Sequence, residues 1–252
     1  MNPAIPRRRF VLGALAVGAI GACSDGTEDE PSASTGPTGT SEPSGTTVAP
    51  AGRTDWFMPA EETEHERTWM CWPSNADVWG DDLEAVQDTI EEIALAIAEF
   101  EPVTMLCRPD QLDQLAERTG GDIELLAAPV DDLWARDTLP CLLVSTNEGG
   151  AAKLAAGRFR FNGWGGKQLH AGDTQLAAVV AQHLGIELID SGLVGEGGGI
   201  EVDGEGTVLA SRSSWVNDNR NPGRGEAEVE ASMLDALGAE RVIWVDGLAA
   251  PT

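Results

Sequence analysis

From Trp56 onward, apolar side chains recur at helical and strand spacings that divide the chain into short elements. Leu83, Val86, Ile90, Ile93 and Ile97 step by three and four, which puts one apolar stripe on a helix from about Asp82 to Phe100. Pro102 to Cys107 follows as a short buried strand. A second helix, from about Pro109 to Arg118, stops at Gly120-Gly121, where a left-handed residue can close it, and a strand from Ile123 to Ala127 comes next. The order then recurs. A helix from about Thr174 to Leu184 ends at Gly185 and leads into a strand from Ile186 to Ile189, and another from about Glu226 to Leu237 ends at Gly238 and leads into Val242 to Val245.

The strands beginning at Ile123, Ile186 and Val242 lie 63 and then 56 residues apart. Each of the first two is followed by a loop bearing an acid, Asp137 and then Glu196. Each loop is followed by two extended segments, Cys141 to Thr146 with Leu154 to Phe161, then Gly199 to Asp203 with Thr207 to Ser211. Asp203-Gly204-Glu205-Gly206 is a tight hairpin connection between the last two. Repetition on this scale predicts α/β units in a radial or linear array; the alternative is an ordinary α+β domain with coincidental spacing. The third cycle stops after Val245-Asp246-Gly247-Leu248, at Thr252, so the expectation is a chain cut within a cycle.

Composition changes the picture upstream. Arg7, Arg8 and Arg9 precede an apolar stretch from Phe10 to Ala22, too short to span a bilayer but suited to a signal peptide. The arginines with Phe10 resemble a twin-arginine export signal, and Ile20-Gly21-Ala22-Cys23 resembles a lipobox. Residues 1–23 are therefore expected to be a lipoprotein signal with Cys23 lipidated, and the protein to be exported and anchored to the outer face of the membrane. A plain cleaved signal is the alternative. Residues 24–53, dominated by Ser, Thr, Pro and Gly, read as a flexible, disordered linker, which leaves 54–252 for the folded domain.

The formal net charge is −26, from 16 Lys+Arg against 42 Asp+Glu. Such a surface repels phosphates and favours cations, so nucleic-acid binding is disfavoured. No CxxC pair occurs, so no metal site or redox pair is expected. Cys71 and Cys107 sit in apolar runs as structural thiols.

Two constellations could carry chemistry. Asp137, in Asp131-Asp132-Leu133-Trp134-Ala135-Arg136-Asp137, follows a buried strand and precedes Pro140. This suits a turn that presents a carboxylate to a planar cation, with Trp134 as an apolar or cation–π wall. The alternative is a local Arg136–Asp137 ion pair on a solvated turn. In the second, Gly195-Glu196-Gly197-Gly198-Gly199-Ile200-Glu201, the glycines let the backbone approach a ligand beside Glu196. They lead into a strand, so this is no dinucleotide fingerprint, and Phe161-Asn162-Gly163-Trp164-Gly165-Gly166-Lys167 fails as a phosphate loop. Both stretches could also be tight turns and nothing more.

Further segments complete a pattern in register. These are Met58-Pro59-Ala60-Glu61, His65-Glu66-Arg67-Thr68-Trp69-Met70, Trp72-Pro73, Asp132 with Trp134-Ala135-Arg136-Asp137-Thr138, the Phe161 to Lys167 run, Glu196 to Thr207, and Asn219-Arg220-Asn221-Pro222. Together they resemble the agmatine deiminases and Porphyromonas-type peptidyl-arginine deiminases, from about Trp56 to Leu248. The resemblance implies a pentein-type α/β propeller of five units, of which about three would be present. It implies hydrolysis of a guanidinium carbon in agmatine or peptidyl-arginine. A cysteine thiolate attacks that carbon, ammonia leaves, and water resolves the thiouronium intermediate while a histidine moves protons. By resemblance Asp137 grips the guanidinium and Glu196 stands beside the catalytic histidine. Trp134, Asn162, Trp164, Gly197 and Gly198 fall to substrate binding, and no metal or organic cofactor is implied.

There are departures from the family pattern. Its Gly-His-x-Asp loop and C-terminal nucleophilic cysteine are not found, and His65, His170, His183 and Cys141 do not match those positions. Glu62 stands where a tryptophan is common and Leu139 where a glycine is usual. The 252-residue chain is therefore expected to be inactive. The rival reading is a surface lipoprotein that binds guanidinium compounds without hydrolysing them; a carboxylate-pair glycosidase using Asp137 and Glu196 ranks last.

Overall fold

The computed structural model describes residues 56–145 and 153–247. The expected signal, Cys23 and the linker lie outside the described residues. Those described build three three-stranded sheets with helices between strands.

The first unit contains β1 (Thr68–Cys71), α1 (Ala76–Trp79), α2 (Leu83–Ala98), β2 (Val103–Cys107), α3 (Leu112–Thr119) and β3 (Glu124–Ala127). Its sheet is ordered β1-β2-β3 and is parallel throughout. The central strand, β2, is buried along its whole length, which is why Val103 to Cys107 reads as an unbroken run rather than an alternating one. On α2 the apolar stripe turns inward: Ile90 and Ala94 are buried, with Val86 and Ile97 packed beside them against Val103 and Met105. Gly120 closes α3 in the left-handed conformation expected of it. Strand β1 has no counterpart in the sequence reading. Four residues are too few to show a period, and it is fixed by its register, Thr68 opposite Val103.

The second unit contains α4 (Ala135–Thr138), β4 (Cys141–Ser145), β5 (Lys153–Arg158), α5 (Gly163–Gly166), α6 (Leu176–Leu184) and β6 (Glu187–Asp190). The third contains β7 (Ile200–Val202), β8 (Thr207–Ser211), α7 (Arg212–Trp215), α8 (Glu226–Leu237) and β9 (Arg241–Val245). In both, the first two strands pair antiparallel and the helix carries the chain back to a parallel third strand. The expected repeat is thus a hairpin followed by a crossover. The first unit departs from it, with three parallel strands in place of the hairpin.

Packing is continuous between neighbouring units. Cys71 and Leu106 of the first pack with Leu176 and Val180 of the second. Cys141 of the second joins Leu193, Ile200, Trp215 and Met233. The leading segment ties two units together: Phe57 bridges Val144, and the Met58 amide donates to Leu237 O at 2.9 Å. These contacts bring the loop after β3, the turn after β5 and the loop before β7 into one neighbourhood.

Candidate active site

Three backbone features create the site. The turn holding Asp137 is a single helical turn, α4, whose N–H groups reach back to Trp134 O and Ala135 O. Opposite it runs the glycine segment before β7. An ideal Cβ on Gly197 would lie 2.4 Å from Arg136 O, and one on Gly198 would lie 2.1 Å from Asp137 Oδ1. Both positions must lack a side chain for the two segments to meet so closely. The third feature is the turn at Asn162 to Gly166. Its Trp164 adopts φ 56°, the sole non-glycine positive φ among the described residues, a conformation costly for a bulky side chain.

Asp137 collects donors from both neighbours. Oδ1 accepts the Gly198 amide at 2.9 Å and Oδ2 accepts the Trp164 indole N–H at 3.1 Å. Burial, then the nearby negative charge of Glu196, holds its pKa above the ordinary carboxylate value against the lowering effect of these donors. The two acids singled out from the sequence are therefore electrostatic neighbours. Glu196 is itself 6% exposed and takes both terminal nitrogens of Arg220, with Nη2 to Oε1 at 2.9 Å. Arg220, from Asn-Arg-Asn-Pro, was quoted in the motif pattern but not assigned to Glu196. Burying these two charges is tolerable because each neutralises the other in a two-point geometry.

Arg136 does not close on Asp137 as a local pair. Its guanidinium turns to Glu61 and approaches Glu201 at 3.5 Å. Glu62 is exposed.

The expected substrate-binding residues divide. Trp134 and Trp164 meet edge-on with centroids 5.6 Å apart beside Asp137. Gly197 and Gly198 bring their backbone against the protein's own Arg136 and Asp137. Asn162 is engaged on both sides: Oδ1 accepts the Gly165 amide at 2.8 Å and Nδ2 donates to Asn219 O at 2.8 Å. Its side chain is a strut between the turn and the Asn219 loop.

Two further groups were given no role by the sequence reading, although Asp131 and Asp132 were quoted in it. Fully buried Asp132 accepts the indole N–H groups of both Trp79 and Trp134. Asp131 and Asp173 latch their loops reciprocally: the Asp131 amide donates to Asp173 Oδ1 at 2.8 Å and the Gly172 amide to Asp131 Oδ2 at 2.7 Å. Burial pushes Asp173 up to about 7. The paired Asp131-Asp132 was a signal for these roles; Trp79 carried none, because it lies 53 residues from its acceptor.

The described thiols are poor nucleophiles. Cys71, Cys107 and Cys141 are all buried. Burial raises Cys107 and Cys141 to about 11 and Cys71 further still.

The sequence profile of the family described as Porphyromonas-type peptidyl-arginine deiminase matches residues 57–251. The agmatine deiminase of Stutzerimonas stutzeri is 37% identical over 210 residues, a stretch equal to 79% of this chain and 55% of that one. The agmatine deiminase of Pseudomonas aeruginosa is 36% identical over 201 residues, 77% of this chain and 54% of that one. Among solved structures, the agmatine deiminase of Enterococcus faecalis superposes with a TM-score of 0.71 at 27% identity, covering 78% of this chain and 55% of that one. This chain spans about half the length of the curated relatives it matches.

Proposed function

Since the chain belongs to the Porphyromonas-type peptidyl-arginine deiminase family, we propose that the whole protein hydrolyses the guanidinium group of agmatine, giving N-carbamoylputrescine, or of peptidyl-arginine, giving citrulline, with release of ammonia. The observation that carries this reading is the meeting of Asp137 with the Glu196 loop: the two acids arrive from successive units, and Gly198 N–H bonds Asp137 directly. A planar cation suits this environment. Ionised Asp137 can accept two guanidinium N–H groups in one plane, and a guanidinium would relieve the repulsion between Asp137 and Glu196. Trp134 offers the ring for the rest of the substrate.

The nucleophile is not expected among the described thiols, all buried and held protonated by burial. We assign the thiolate and the proton-carrying histidine to the portion of the relatives that this chain does not span. The 252 residues would then contribute about three of five propeller units. A structure of an active form should contain two further three-stranded sheets, and finding none would remove the five-unit reading.

The buried thiols also favour a second reading, a guanidinium-binding surface protein that performs no hydrolysis. One experiment separates the possibilities. Agmatine and an arginine peptide are titrated into the chain calorimetrically while ammonia is assayed. Binding without ammonia is expected, lost in Asp137→Ala. Turnover that survives Asp137→Ala would show the site to be elsewhere. Residues 1–23 further suggest export and lipidation at Cys23.

A further inference from the structure

We propose that Asp132 is a positioning residue of this site, whose carboxylate fixes Trp79 and Trp134 as one braced pair of indoles and, through Trp134 and Trp164, sets where Asp137 stands. Oδ1 of Asp132 accepts the Trp79 indole N–H at 2.8 Å and the Leu133 amide at 2.8 Å. Oδ2 accepts the Trp134 indole N–H at 3.0 Å and the Gln168 side-chain amide at 2.8 Å. All four donors are neutral, and the residue is wholly buried. The loss of water around the carboxylate is thus offset by hydrogen bonds alone, so each donor matters.

Two indoles bonded to opposite oxygens of one carboxylate have little freedom. Their rings stand 6.4 Å apart at an interplanar angle of 25°, a stacked arrangement. Trp134 then meets Trp164 at 5.6 Å and 87°, and Trp164 delivers its N–H to Asp137 Oδ2 at 3.1 Å. The left-handed backbone of Trp164 is a strained state that needs outside support. Its contacts with Trp134 and with Phe161, the latter at 5.0 Å, supply that support. Contacts therefore run unbroken from a carboxylate that never meets solvent to the one placed for a cation. The Asp131 amide, locked onto Asp173 Oδ1, holds the start of this path.

The ligand arm of the test rests on the guanidinium reading, whereas the indole arm does not. Proton–nitrogen correlation spectra of the chain resolve the indole N–H signals, assigned with Trp79→Phe, Trp134→Phe and Trp164→Phe. Asp132→Asn replaces one acceptor oxygen with an N–H donor. The signals of Trp79, Trp134 and Trp164 should move, while those of Trp215 and Trp244, bonded to Gly199 O and Glu230, should stay. Agmatine affinity should fall roughly tenfold, the order of one lost cation–aromatic contact. Movement limited to Trp79 and Trp134 with unchanged affinity would overturn the link to Asp137. Should Asp132→Asn unfold, Trp79→Phe leaves the carboxylate three donors and should still move the Trp134 and Trp164 signals; if both stay, the proposal fails. A wild-type chain that binds no agmatine sinks the guanidinium reading, yet the indole signals still decide the role of Asp132.

Discussion

Gly198 is the narrowest point of the site, because its missing side chain is what lets a backbone amide reach Asp137. Gly198→Ala would drive a methyl into the Asp137 carboxylate. Unfolding in urea should show a loss of roughly 1–3 kcal/mol, and calorimetry a loss of agmatine binding. Asp173 makes a different case. Its pKa is raised to about 7 by burial, so the folded protein keeps a proton that the unfolded chain releases near pH 4. Its contribution to stability is therefore full below about pH 4 and is lost as pH rises to about 7, by up to about 1.4 kcal/mol per pH unit. Asp173→Asn retains an acceptor for the Asp131 amide without the ionisation. Melting temperatures of the variant, measured across pH 4 to 8, should lack that decline; a slope equal to wild type would show that Asp173 does not titrate as described. At this scale the sequence exposed the acids and glycines by type, but not their partners. Arg220 bonds Glu196 across 24 residues and Trp79 bonds Asp132 across 53, distances that no local pattern encodes.

Elements were more legible than partners. Helix α8 spans Glu226–Leu237 and β8 spans Thr207–Ser211, both as their periodicity and flanking glycines predict. Gly120, Gly185 and Gly238 close their helices in left-handed conformations. What periodicity missed were strand β1 and the four-residue turns α1, α4, α5 and α7, whose brevity leaves no repeat to detect. The segment between α7 and α8 escapes periodicity for another reason, because its contacts reach across the fold. Asn221 bonds Val194 and Trp215 through its side chain, and Arg220 bonds Glu196, so this loop pins the glycine segment from behind. Arg220→Met should leave Glu196 buried without a counter-charge and cost roughly 3–5 kcal/mol in urea unfolding. The double variant with Glu196→Gln should recover part of that loss. A single variant as stable as wild type would mean that the pair is not buried in solution.

At the scale of the whole molecule, the acid excess bears on what the surface attracts, and the proposed lipidation of Cys23 on where the protein works. With a net charge of −26 it should concentrate cations and avoid nucleic acid. If Cys23 carries lipid, the protein will fractionate with membranes and take up a palmitate analogue, and Cys23→Ser will abolish both; a wild-type protein free of label would leave a simple cleaved signal. The sequence by itself determined the order of the longer helices and of the strands after β1, the recurrence of a unit of about sixty residues and the residue types of the two acidic loops, because hydrophobic period and glycine punctuation are local properties. Only the tertiary structure decided that the first sheet is wholly parallel, that Arg136 turns from Asp137 to Glu61, that Asn162 serves as a strut, and that Arg220 and Asp132 hold the site together. Each of those outcomes depends on which desolvated groups find partners far away in the chain, and that competition is settled only when the units pack.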